Sequence, residues 1–216
     1  IEVKKGGQEQ IDVWKHGFVF LFVWTLIIVG SVIWNLDLKK TEVENNARIQ
    51  AVAAWQKDIV YRSWMSSHGG AYVPVSESTP PNPYLDVPNR EIMTSDSIEY
   101  TLVNPAYMTR QVNEILLSRF NIMGHITSLN PIRPENKADE WETKALNEFE
   151  KGSNEVSEIV MLKDEKLFRL MKPFKVEKSC LKCHAKQGYK FGDIRGGISV
   201  AVPMTPIEEI ANKATK

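Results

Sequence analysis

Between Gly17 and Leu36 the chain runs for twenty residues without a charge, GFVFLFVWTLIIVGSVIWNL. A run this apolar must leave water, into either a bilayer or a protein core. At a helical rise of about 1.5 Å per residue it matches the hydrocarbon thickness of a membrane. Trp24 and Trp34 inside it, and Trp14 just before it, stand where interfacial aromatic anchors belong. A core helix this uniformly apolar does not suit a chain of 216 residues, and a cleavable signal would have a shorter apolar run and a small-residue cleavage site. The run predicts a transmembrane helix over 16–36. Flanking charge leaves its orientation undecided, with Lys4, Lys5 and Lys15 before it and Lys39 and Lys40 after it.

The membrane run is followed by Asp37 to Ser67, a stretch without glycine or proline in which Val52, Trp55 and Ile59 recur at helical spacing. It predicts a long helix continuing from the membrane and ended by His68-Gly69-Gly70. The expected layout is therefore a tail over 1–15, the membrane helix over 16–36, a connecting helix over 37–67 and a folded domain over 68–216. In that domain AYVPV reads as a short strand, SESTPPNPYLDVPNR as an extended surface loop and Ile98 to Val103 as a second strand. Asn104-Pro105 is a cap followed by proline at the first helical position, opening a helix to about Phe120. HITSLNPIRPEN reads as a loop. Asp139 with Glu142 is a capping-box pattern, for a helix that stops at Gly152. EVSEIVML and KLFRLMKPF read as two strands joined at Lys163-Asp164-Glu165. GGISVAVP, with Ile198, Val200 and Val202 alternating, is a last strand, and Thr205 opens a helix reaching the C-terminus. This order specifies an α+β fold with an antiparallel sheet.

Lys+Arg and Asp+Glu both number 27, a balance that argues against a nucleic-acid binder, which needs a basic surface. The two cysteines are Cys180 and Cys183, and His184 follows the second. Cys-x-x-Cys-His is the attachment pattern of c-type haem. Positions i, i+3 and i+4 share a helical face, so both sulfurs can meet the two vinyl groups of one haem while His184 offers its imidazole to the iron. Ser179 is placed to cap that short helix. A zinc site lacks a second pair of ligands, a redox dithiol lacks its βαβ setting, and a disulfide leaves His184 unexplained. One covalently bound haem c is the cofactor expected. Such attachment takes place outside the cytoplasm in bacteria, which would put 37–216 outside and 1–15 inside an inner (cytoplasmic) membrane.

Taken together, YRSWMSSHGGAYVPV, PPNPYL, NPAYMTRQ, HITSLNPIRPEN, WETKALNEFE, LMKPF and CLKCHAKQGYKFGDIRGGISVAVPM, spanning residues 61–204, resemble the bacterial haem-c sensor domains long catalogued as a domain of unknown function. The resemblance implies a PAS-like antiparallel sheet behind a long helix, with the haem held covalently. Domains of that family often sit between two membrane helices ahead of a kinase or cyclase. These 216 residues include no second span and no output module, so sensing would require a signalling partner.

His184 is the expected proximal ligand. For the opposite face of the iron, His68 at the end of the long helix is the first expectation, with His125 and Met65, Met93, Met108, Met123 and Met171 behind it. Arg195 and Arg133 are candidates to hold haem propionates. Tyr189, Tyr107 and Trp64 are candidates to line the haem pocket, each equally suited to ordinary core packing. No acid/base pair, phosphate loop or nucleophile set is visible, so no enzymatic activity is expected. Two roles are open: a sensor of redox state or of a small gas, and an electron carrier associated with other membrane subunits. The expected partners are the bilayer, those subunits or a signalling protein, and a second copy in a homodimer.

Overall fold

A computed structural model of the chain describes residues 13–162 and 164–213. Most of the expected tail, Lys163 of the expected turn and the last three residues lie outside the described residues. The uncharged run and the glycine-free stretch form one helix, α1 (Val13–Ser67). The chain divides into two compact units, Ile1–Glu42 and Val43–Lys216.

In the first unit the described residues are helical and expose their apolar side chains, Phe18, Leu21, Ile27 and Trp34 among them. The window of mean hydropathy 2.3 is wholly unburied, and its helix is long and apolar enough to cross a membrane.

The second unit is α+β. Strands β1 (Ala71–Pro74), β2 (Glu91–Met93) and β3 (Glu99–Val103) form a small antiparallel sheet in the order β1-β3-β2. Helix α2 (Pro105–Phe120) follows, capped by Asn104, whose Oδ1 accepts from the Tyr107 N–H at 2.8 Å. Strands β4 (Met123–Thr127), β5 (Val156–Leu162), β6 (Glu165–Lys175) and β7 (Ile194–Pro203) form a second antiparallel sheet in the order β4-β7-β6-β5. Helix α3 (Glu140–Glu150) stands between β4 and β5. It starts with the expected capping box, Glu142 N–H to Asp139 Oδ1 at 2.7 Å and Asp139 N–H to Glu142 Oε2 at 3.0 Å. Helix α4 (Leu181–His184) lies between β6 and β7, and α5 (Thr205–Lys213) ends the described chain.

Strand alternation sorts the core onto the two faces of the larger sheet. Phe168, Leu170, Ile198, Val200 and Val202 face Val43, Ala47 and Ala51 of α1 and Ile207 of α5. The alanines let the helix backbone approach closely. Met171, on the opposite face, packs with Ala145, Leu146 and Phe149 of α3. Burying one Leu- or Phe-sized side chain contributes about 1.5–3 kcal/mol, so these two clusters dominate the stability of the unit.

Two strands were not expected. β4 overlaps the start of the expected loop at His125–Thr127, and β2 follows directly on another loop. β4 is an edge strand bonded only to β7, and β2 is three residues long, so neither carries the alternation that marks a buried strand.

Candidate functional site: a cationic cavity around Cys180, Cys183 and His184

The cysteine segment leaves β6 as a run of short helical turns, a 3₁₀ turn over Lys178–Cys180, then α4, then another 3₁₀ turn over Ala185–Gln187. Ser179 does not cap it: the turn begins one residue earlier, with Glu177 in the capping position. The Cys180 N–H donates to the Glu177 carbonyl at 3.0 Å, and the Glu177 N–H points at Cys180 Sγ at 3.4 Å. Gly188 ends the run at φ 87°, a left-handed conformation that glycine adopts without penalty. The two thiols are not joined to each other.

Cys180, Cys183 and His184 line one cavity of about 490 Å³ together with residues of α1, of α2 and of the loops on either side of β4 and β7. This is a size that suits a small-molecule cofactor. Ile59, Leu85, Leu102, Ile126, Tyr107 and Phe174 supply apolar walls. β7 enters beside β4 at Gly196, where a Cβ would stand 2.2 Å from the Thr127 carbonyl oxygen, so the close approach needs glycine.

His184 is held by its Nδ1–H, which donates to Gln187 Oε1 at 2.6 Å; Gln187 Nε2 in turn donates to the Asn130 carbonyl at 3.0 Å. This relay fixes the ring and leaves Nε2 as the free lone pair. Burial, with the guanidiniums of Arg195 and Arg62 adding to it against the Gln187 hydrogen bond, lowers the imidazole pKa to about 4. The ring is neutral at physiological pH, the form that ligates a metal.

The chain as a whole has no net charge, but the cavity does. Arg62, Arg110, Arg133, Arg195 and three lysines line it, against Asp86 and Glu177. Arg133 donates from Nε to Glu135 at 3.0 Å, yet its Nη1 is buried without a partner, as is Nε of Arg195. Burial lowers the pKa of Arg62 to about 10, with Arg195 adding to the effect.

The structure gathers Cys180, Cys183, His184, Arg195, Arg133 and Tyr107 in one place. It does not bring His68 there. His68 is exposed, stacked on Trp64 at 4.4 Å between ring centroids, with Nδ1 turned back on the Trp64 carbonyl at 2.8 Å. Trp64 and Tyr189 are not in the lining either. His125 sits on β4 and donates from Nδ1 to the buried Glu142 at 3.0 Å. Met65 and Met171 are core residues and Met93 is exposed; no methionine lines the cavity among the described residues. Arg62, Phe174 and Gln187 were not singled out from sequence. Gln187 was findable, because three residues past His184 puts it on the same helical face. Arg62 was findable as a charge on the buried face of α1, one and two turns after Asp58 and Ala54 and just before Met65.

The residues fit a planar, dianionic, iron-bearing group: two thiols, a neutral imidazole, apolar walls and more cations than carboxylates. No group of three or more His, Cys, Asp or Glu suited to a bare metal ion occurs among the described residues.

Among solved structures, the chain is similar to the one titled the crystal structure of the cyanobacterial heme-protein Tll0287, with a TM-score of 0.47 and 14% identity over 71% of this chain and 92% of that one. No curated protein matches. The family model for Tll0287-like proteins matches residues 39–203, and the chain belongs to the Tll0287-like family.

Proposed function

We propose that this protein is a membrane-anchored c-type cytochrome with one covalently bound haem, on the extracytoplasmic side of a bacterial inner membrane, that senses redox state or a small gas. The observation that carries the reading is the cavity that unites Cys180, Cys183 and His184, with the Nδ1–H of His184 committed to Gln187. Cys180 and Cys183 would hold the haem by thioether bonds, with each thiol's sulfur and proton added across one vinyl group. His184 offers Nε2 to the iron. Haem supplies an iron centre that exchanges one electron and binds diatomic gases. The helix over 16–36 serves as the anchor.

One observation favours sensing over plain electron transfer. Apart from His184, the described cavity residues include no histidine and no methionine. A carrier of electrons is best served by two strong axial ligands, whereas a site without a second one admits an exogenous ligand. Absorption spectra of the purified membrane protein, oxidised and reduced, with and without CO and NO, test this. Gas-shifted bands or a high-spin ferrous form are expected. Sharp low-spin bands indifferent to gas support the electron-carrier role, in company with other membrane subunits. Absence of a haem signal overturns the whole proposal.

A further inference from the structure

Resting on the haem reading, we infer that Arg62 and Arg195 form a carboxylate clamp for the propionate edge of the haem, and that Arg62 thereby ties the bound group to α1. Both guanidiniums stand over one ring, that of Phe174, at 5.0 Å for Arg62 and 5.9 Å for Arg195. The ring faces two cations from different elements, α1 and β7, that meet nowhere in sequence. Neither arginine makes an ion pair with a carboxylate among the described residues. Arg62 has a long hydrogen bond to Thr109 Oγ1 at 3.5 Å, and Arg195 has a buried Nε with no acceptor. Asp58, one turn before Arg62, favours its charge only from beyond ion-pair distance. Two cations held together in a half-apolar cavity repel each other and lose hydration, an arrangement that is stable only when anions enter. Arginine is suited to receive carboxylates in pairs, through parallel N–H donors.

Arg62 lies near the end of α1, six residues before His68, which follows the helix; unlike His68, it lines the cavity. A change of charge at the iron is therefore felt on α1 through Arg62. Positive charge beside the haem stabilises the reduced form, which carries one less positive charge.

The test is the reduction potential of the intact haem-loaded protein in detergent, for wild type, Arg62→Gln, Arg195→Gln and Arg62→Lys. Each glutamine variant is expected to lower the potential, by on the order of tenfold in the ferric–ferrous equilibrium, and lysine at 62 is expected to restore most of it. Haem stain on a denaturing gel confirms that each variant is loaded. If wild type carries no haem, the cytochrome reading fails. If wild type and variants carry haem at one unchanged potential, the clamp fails and the cytochrome reading stands. If inorganic phosphate added to wild type shifts the potential saturably, and the shift is lost in Arg62→Gln, the cations serve a free anion and the clamp is overturned.

Discussion

In the proposed cytochrome, Gln187 would control how His184 meets the iron. Its Oε1 accepts the imidazole Nδ1–H, which would push electron density toward Nε2 and so favour oxidised iron bound there. Gln187→Ala is expected to raise the reduction potential and Gln187→Glu to lower it, measured by spectroelectrochemistry. That is the opposite sign from removing Arg62, so the two residues act on the iron by separable routes. The cysteine pair, His184 and Gln187 belong to one local segment, where spacing alone puts them together. Arg62 could be picked out only as a charge on the buried face of α1, not as a partner of the cysteine segment. Its role depends on β6 and β7 delivering Phe174 and Arg195 to the same wall.

At the scale of elements, α3, β4, β6 and β7 are joined by one buried carboxylate. Glu142 accepts from His125 on β4 at 3.0 Å, from Ser199 on β7 at 2.5 Å and from the Asp139 N–H, and lies 3.1 Å from Arg169 on β6. Burial would raise its pKa, but the hydrogen bond and charge of His125, with Ser199 and Asp139, bring it down to about 2. The Glu142 hydrogen bond holds the pKa of His125 above 6.5. The Glu142 contribution to stability is present above its ordinary value of 4.5 and lost as pH falls toward 2. The His125 contribution is present below 6.5 and lost as pH rises through its raised value. Glu142→Gln is expected to cost about 3–5 kcal/mol, because Arg169 and His125 lose their buried counter-charge, and to flatten the pH dependence across both windows. Urea unfolding at a series of pH values measures both. The capping box that starts α3 was readable from Asp139 and Glu142, since it is a contact between neighbours in the chain. That the same Glu142 would take His125 was not readable, since β4 from His125 on read as a loop and its pairing with β7 spans some seventy residues.

For the whole molecule, the proposed anchor predicts that the full chain stays with the membrane pellet through an alkaline carbonate wash and is released only by detergent. A chain that appears in the wash would leave the cytochrome chemistry intact and remove the anchor. The sequence by itself determined what is carried by neighbours along the chain: the apolar run, the unbroken α1, the caps of α2 and α3, the thiol pair with its histidine, and the family. These are short-range properties, set by hydrophobic length, helical periodicity and local hydrogen bonding. Only the tertiary structure decided that His68 stays on Trp64 while Arg62 reaches the cavity. Only it decided that a chain with no net charge concentrates its cations around His184. Both follow from long-range packing: the sheet face that buries Ala47 and Ala51 sets the rotation of α1, and that rotation chooses which of its side chains look inward.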